Sequence, residues 1–106
     1  MCIRDSHWGV ERVFTPNARQ RYLAGLALRN GAKVVLGAHP HVLQPRERRG
    51  GKRRKLVAWS LGNFVFTGSS ELTRRAGILH VKLGRQGVLD TRLRPVHIVN
   101  SQPQLR

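Results

Sequence analysis

The apolar positions of this chain fall into two periods, and the change between them marks out its elements. Lys33-Val34-Val35-Leu36 is a short β-branched-rich run closed by Gly37, the pattern of a strand buried on both faces of a parallel sheet. Before it, residues 18–28 are rich in Ala, Leu, Arg and Gln, with Leu23, Ala27 and Asn30 on one face and Ala24 and Leu26 beside it. That spacing predicts a helix. Thr15 is placed to cap it, Pro16 suits the first helical position, and Asn30-Gly31 ends it. A helix, a short loop and a strand make the second half of a βαβ crossover, whose first strand would end at His7.

Past the strand, residues 42–49 and 52–60 flank Gly50-Gly51 and predict a β-hairpin. Its second arm runs into Leu61-Gly62-Asn63-Phe64-Val65-Phe66, an apolar run broken by a Gly-Asn pair suited to a bend. Gly68-Ser69-Ser70 reads as a loop. Residues 78–83 and 88–93 alternate apolar and polar around Arg85-Gln86-Gly87 and predict a second hairpin, with His80 and His97 as ordinary strand residues. From Asn100 onward the chain is polar and is expected to fray.

With 106 residues there is room for one domain with a small core. No apolar run approaches the roughly 20 residues of a membrane-spanning helix, and Cys2, the single cysteine, excludes an internal disulfide framework. The charge changes the picture more. Twenty Lys and Arg against five Asp and Glu give +15, and Arg46, Arg48, Arg49, Lys52, Arg53, Arg54 and Lys55 cluster in the first hairpin. Such a window, 46–55, could grip the phosphates of a nucleic acid, or another polyanion, without sequence preference, which makes a basic nucleic-acid- or polyanion-binding module the alternative function. It contains no aromatic ring to stack a base, so a solvated basic arm is the plainer reading.

The opening Met1-Cys2-Ile3-Arg4-Asp5-Ser6 fits poorly with the residues after it. Arg4 and Asp5 are poor residues for the strand that should lead into His7-Trp8-Gly9, and the hexapeptide is similar to the translated end of a sequencing-library adapter. Residues 1–6 are therefore assigned to a non-native leader, 7–99 to the domain proper and 100–106 to a polar tail. On this assignment a cut has removed the strand before His7, which should leave Val34, Val35, Leu36 and Phe64 incompletely buried.

Candidate chemistry centres on Gly37-Ala38-His39-Pro40-His41. Imidazole is the commonest neutral metal ligand, and the intervening proline fixes one φ and biases His39 toward an extended backbone. Delivered at the carboxyl end of a parallel strand, the pair sits where α/β sheets collect ligands. His7 is a further candidate ligand. Glu11 and Asn63 are candidates for the surrounding shell that orients ligands, although Glu11 could equally be solvated and Asn63 a bend residue.

These residues carry a family resemblance. His7-Trp8-Gly9-Val10-Glu11, Gln20, Gly31-Ala32, Gly37-Ala38-His39-Pro40-His41-Val42-Leu43-Gln44 and Ser60-Leu61-Gly62-Asn63-Phe64 resemble, in order, motifs of the CapA capsule-synthesis family within the calcineurin-like metallophosphoesterases. The resemblance runs from His7 to about Phe66. It implies an α/β fold, the C-terminal part of an α/β/β/α sandwich with one main helix, mixed strands and hairpins. It also implies a centre for two divalent ions of the manganese, iron or zinc type, with His7 and His39 on one ion and His41 on the other. The superfamily's upstream Asp-x-His, Gly-Asp-x-x-Asp and Gly-Asn-His motifs have no counterpart here. Two cations roughly 3.5–4 Å apart need carboxylates to offset their charge, so this chain alone should hold at most one ion, weakly, and be inactive. Trp59 and Lys33 stand where the family often has tyrosine and aspartate. The resemblance further implies a bacterial cell-envelope setting, a role in capsule or poly-γ-glutamate synthesis or export or in phosphoester hydrolysis, and a phosphoester or anionic-polymer substrate.

Overall fold

The computed structural model describes residues 2–66 and 70–106 and has three layers: one helix, a four-stranded sheet and a three-stranded sheet. Strand β1 (Cys2–His7), helix α1 (Ala18–Arg29) and β2 (Ala32–Ala38) form the anticipated βαβ unit, with β1 and β2 parallel. Strand β4 (Lys55–Ala58) adds parallel to β2, and β3 (Arg46–Arg49) closes the edge antiparallel to β4, giving the order β1-β2-β4-β3. The second sheet is an antiparallel meander of β5 (Arg75–Gly84), β6 (Gly87–Val99) and β7 (Gln102–Leu105). No helix among the described residues is long and apolar enough to cross a membrane.

Side-chain alternation on β2 and β4 sorts the core into two layers. Val35 and Val57 face the helix and pack with Ala24, Leu28, Trp8, Ala32 and Trp59. Their neighbours Val34 and Leu56 face the other way and pack with Val88 and with Leu36, Leu79 and Val81. Three layers of the anticipated sandwich are thus present, and the mixed α/β class holds. Val34 and Val35, expected to be left partly open, are buried at 2% and 0% exposure, because α1 and the second sheet cover the two faces of β2. Phe64 is the residue left open, at 46%.

Several sequence expectations need correction. The helix cap is Asn17, not Thr15: the Asn17 Oδ1 accepts from the Gln20 backbone N–H at 2.8 Å and the Gln20 side chain accepts from the Asn17 N–H at 2.9 Å. That reciprocal pair satisfies two orphan donors together, which Thr15 with Asn17-Ala18 after it could not do. The slot before His7 is filled by Cys2–His7 itself, in register with β2 from Ile3↔Val34 to His7↔Ala38. Backbone pairing sustains this edge strand, since all but Ser6 of its side chains are exposed. The polar tail is not frayed. Asn100 and Ser101, at φ 50° and 62°, form a tight turn of the kind that matches strand twist, and β7 then pairs with β6 from Val99↔Gln102 to Val96↔Leu105.

Both hairpins form where the pattern placed them. In the first, the paired arms shorten to β3 and β4, and the loop includes a 3-10 turn at Gly51–Arg53. Looser pairing continues outward, through Trp59 N–H to Pro45 O at 3.1 Å, Gln44 N–H to Ser60 O at 3.0 Å and a Leu43–Leu61 bridge. In the second, the arms lengthen to β5 and β6, which carry His80 and His97 as strand residues. Of the Gly68-Ser69-Ser70 loop, Gly68 and Ser69 lie outside the described residues. Ser70 is tied to Thr73 by hydrogen bonds through both side chains and backbone.

A polar cluster on the helix side of the first sheet joins α1 to β3. Trp59 is fully buried, donates its indole N–H to Glu47 at 2.9 Å, and has the guanidinium groups of Arg21 and Arg49 within 5.2 and 5.6 Å of its ring. Burial acts on the Glu47 carboxyl to raise its pKa, but hydrogen bonds from Arg49 and Trp59 and the charges of Arg49 and Arg21 outweigh it, and the net shift is downward.

Candidate metal centre

The parallel strands β1 and β2 end side by side at His7 and Ala38, so the chain leaves both at one edge of the sheet. Trp8 N–H donates to Ala38 O at 3.0 Å and Arg12 N–H to Pro40 O at 2.8 Å, which lace the loop after β1 to the His-Pro-His turn after β2. Beneath them, the Trp8 indole N–H donates to Trp59 O at 2.9 Å, passing over Gly37. A Cβ at Gly37 would run into both partners of that bond, so the strand must carry glycine there.

Two glutamines hold the loop from its other end. Gln20, 1% exposed, donates its amide to Gln44 Oε1 at 2.9 Å, and Gln44 donates onward to Val13 O at 2.7 Å. Residues 8–13 are therefore pinned to α1 and to the segment after the histidines. Glu11 sits on this pinned loop.

The outcome is a converging donor set. One ligand atom each from Glu11, His39 and His41 lie within 4.8 Å of one another. Among the described residues this is the one group of three or more His, Cys, Asp or Glu that could surround an ion. His7 is adjacent but outside the set, its ring 4.5 Å from that of His39 at 49°. Both histidine backbones lie in the left-handed region, His39 at φ 102° and His41 at φ 61°. The extended conformation expected of His39 before proline is not adopted, and two non-glycine residues at positive φ within three positions are uncommon.

Asn63 decides the tautomer of His41. Its Nδ2 donates to Thr73 O at 3.1 Å, which turns its Oδ1 toward His41 Nδ1 at 2.7 Å. An amide oxygen only accepts, so the neutral imidazole carries its proton on Nδ1 and leaves the Nε2 lone pair free. Gly62 at φ 75° makes the bend that brings Asn63 beside His41. Phe66 lies against the same imidazole, ring centres 5.6 Å apart.

Two imidazoles and one carboxylate could hold a divalent ion, the nitrogens favouring iron or zinc and the carboxylate manganese. The residues present fit one such ion. A second would need further carboxylates, and Glu11 is the one carboxylate of the converging group among the described residues. Sequence inspection leaves Glu11 open between an outer residue and a solvated one, whereas the fold brings its carboxylate within 4.8 Å of the ligand atoms of His39 and His41. The signal available is its position four residues after His7; the lacing of the loop to Pro40, which brings it inward, is a tertiary feature.

Comparison with known proteins places the chain in a family. The family model "Bacterial capsule synthesis protein PGA_cap" matches residues 1–68. The PGA biosynthesis protein CapA of Bacillus subtilis (strain 168) is 38% identical over 101 residues, covering 95% of this chain and 26% of the relative. The capsule biosynthesis protein CapA of Bacillus anthracis is 30% identical over 104 residues, covering 98% of this chain and 25% of the relative. The chain thus spans about a quarter of the length of these relatives. With the family model matched over residues 1–68, more than half of its length, this chain belongs to the bacterial capsule synthesis protein family PGA_cap.

Proposed function

We propose that this chain is the C-terminal side of a divalent-metal centre in a CapA-type protein, which acts in capsule or poly-γ-glutamate synthesis or export, or as a phosphoester hydrolase on the same scaffold. The observation that carries the reading is the Asn63–His41 hydrogen bond. A side chain whose amide is fixed by Thr73 and whose oxygen fixes an imidazole is the outer support that metal-bound histidines characteristically have. Glu11 supplies negative charge, His39 and His41 supply neutral nitrogen, and His7 stands beside His39 to complete the set. When bound, a pair of divalent ions supplies Lewis acidity and an activated water for attack on a phosphoester or on an anionic polymer. One nearby carboxylate offsets little of the charge of two ions, so the chain by itself holds one ion weakly and does not turn over phosphodiesters.

Calorimetric titration with manganese and zinc tests the metal reading. Wild type should bind one equivalent, His41→Ala should lose it, and Asn63→Ala should bind roughly 10- to 100-fold more weakly, as loss of an outer-shell partner typically does. Equal binding by wild type and His41→Ala would remove His41 from the centre. Turnover of a generic phosphodiester by the purified wild type would show that these residues suffice without the upstream carboxylates.

A further inference from the structure

The basic hairpin separates two concavities, and they divide its charges between them. On one side Arg46, Arg48 and Arg53 line a space of about 570 Å³ with Glu47 and Thr91. On the other, Lys33, Lys52, Arg54 and Lys55 line one of about 360 Å³ with Gly51 and Gln86. Arg53 and Arg54 are consecutive, yet they line different cavities, so the tip of the hairpin is a saddle between two basic hollows.

Not all of these cations are free. Arg48 donates to Arg53 O and Val88 O, and Lys55 donates to Leu28 O at the end of α1. Arg46, Lys52, Arg53, Arg54 and Lys33 have no ion-pair partner among the described residues. Lys33 and Lys55 each immediately precede the Val34↔Leu56 pair on parallel strands, and Arg49 pairs with Lys55. Three adjacent strands therefore place basic residues in one row; Glu47 meets the charge of Arg49 at 2.9 Å, and the like charges of Lys33 and Lys55 are left without an ion-pair partner among the described residues. No aromatic residue lines either hollow, so neither offers a stacking surface for a base.

We propose that the two hollows form a track for a linear polycarboxylate, one stretch of polymer lying in each hollow and the chain crossing the saddle at Arg53 and Arg54. The track is separate from the metal centre: Lys33 precedes His39 by six residues along β2, about 20 Å at ~3.3 Å per residue. The choice of carboxylate rests on the capsule-polymer reading above; the hollows themselves require spaced oxyanions without bases. A polymer engaging both hollows gains from the effective concentration of its second segment, so affinity should rise with length faster than the number of charges.

The test uses the whole chain, fluorescent poly-γ-glutamate of about 2 and about 50 residues, and polyphosphate and oligothymidylate of matched charge, with length chosen so that only the longer chains reach both hollows. The longer polyglutamate should bind at least about tenfold more tightly than the shorter, and rising salt should weaken it. Lys52→Gln/Arg54→Gln and Arg46→Gln/Arg53→Gln should each abolish the length advantage, with circular dichroism unchanged. His39→Ala and His41→Ala should bind polymer as wild type does, which separates failure of the track from failure of the metal reading. Wild-type affinity in both double variants, no dependence on length, or preference for oligothymidylate or polyphosphate over polyglutamate would each overturn the proposal.

Discussion

At the scale of single residues, the candidate metal centre stores backbone strain. His39 and His41 at φ 102° and 61° occupy a region in which a Cβ is disfavoured, and each such residue costs on the order of 1–3 kcal/mol unless its surroundings hold it there. Here the Arg12–Pro40 and Trp8–Ala38 backbone bonds and the Asn63–His41 side-chain bond do so. The histidines are thus kept for what their rings do. His41→Gly should accordingly be more stable than His41→Ala by about 1 kcal/mol, since glycine adopts positive φ at no steric cost and alanine does not, although both variants lose the ring. Urea unfolding of the two decides the point, and a more stable alanine variant would show that the turn is not strained. As candidate ligands these histidines were legible because His-Pro-His follows a β-branched run. Their left-handed backbone was not, because proline alone argues for an extended neighbour and the opposing hydrogen bonds come from residues about 30 positions away in the chain.

At the scale of elements, local pattern succeeds where packing and period coincide. The helix, β2 and both hairpins have a periodicity that burial enforces, and each lies within a few residues of its predicted place. Strand β1 and the tail strand β7 are illegible for the opposite reason: their side chains are largely exposed, and backbone pairing to β2 and β6 makes them strands. For β1 this has a testable cost. Arg4 pairs with Val35, whose side chain faces α1, and Cys2, Arg4 and Ser6 line the cavity there with Leu23, Leu26 and Ala27. Replacing Arg4 and Ser6 with valine should fill part of that space and raise stability by about 1–2 kcal/mol, given the usual gain from burying such a side chain. The midpoint of urea unfolding measures it. An unchanged or lowered midpoint would mean that β1 does not seat against the helix.

At the scale of the whole molecule, shape and surface set the limit. The Cα radius of gyration is 13.8 Å and the principal extents are 40 × 27 × 16 Å. A compact chain of this length would have a radius near ~13 Å, so this one is a slab only a few layers thick. Its core is correspondingly divided into three small clusters, around Val35 and Trp59, around Val34 and Leu56, and around Val96 and Ile98. Large apolar side chains stay open around the metal edge and beyond, including Phe14 at 47%, Val65 at 72% and Phe66 at 51%. Exposed apolar surface of this kind associates, and β1 borders only β2 in its sheet, leaving an edge that can template further pairing. The net charge of +15 opposes association through repulsion but also opposes the compact state. Salt should therefore act in two directions, relieving repulsion within the molecule while allowing copies to meet. The chain in isolation should unfold over a broad temperature range and aggregate as it does so, more readily in salt. Calorimetry with light scattering at two ionic strengths reads both quantities together. A sharp, reversible transition of monomeric protein above about 60 °C, near the top of the range for mesophile domains, would show that these three clusters suffice and that the open apolar face needs no partner.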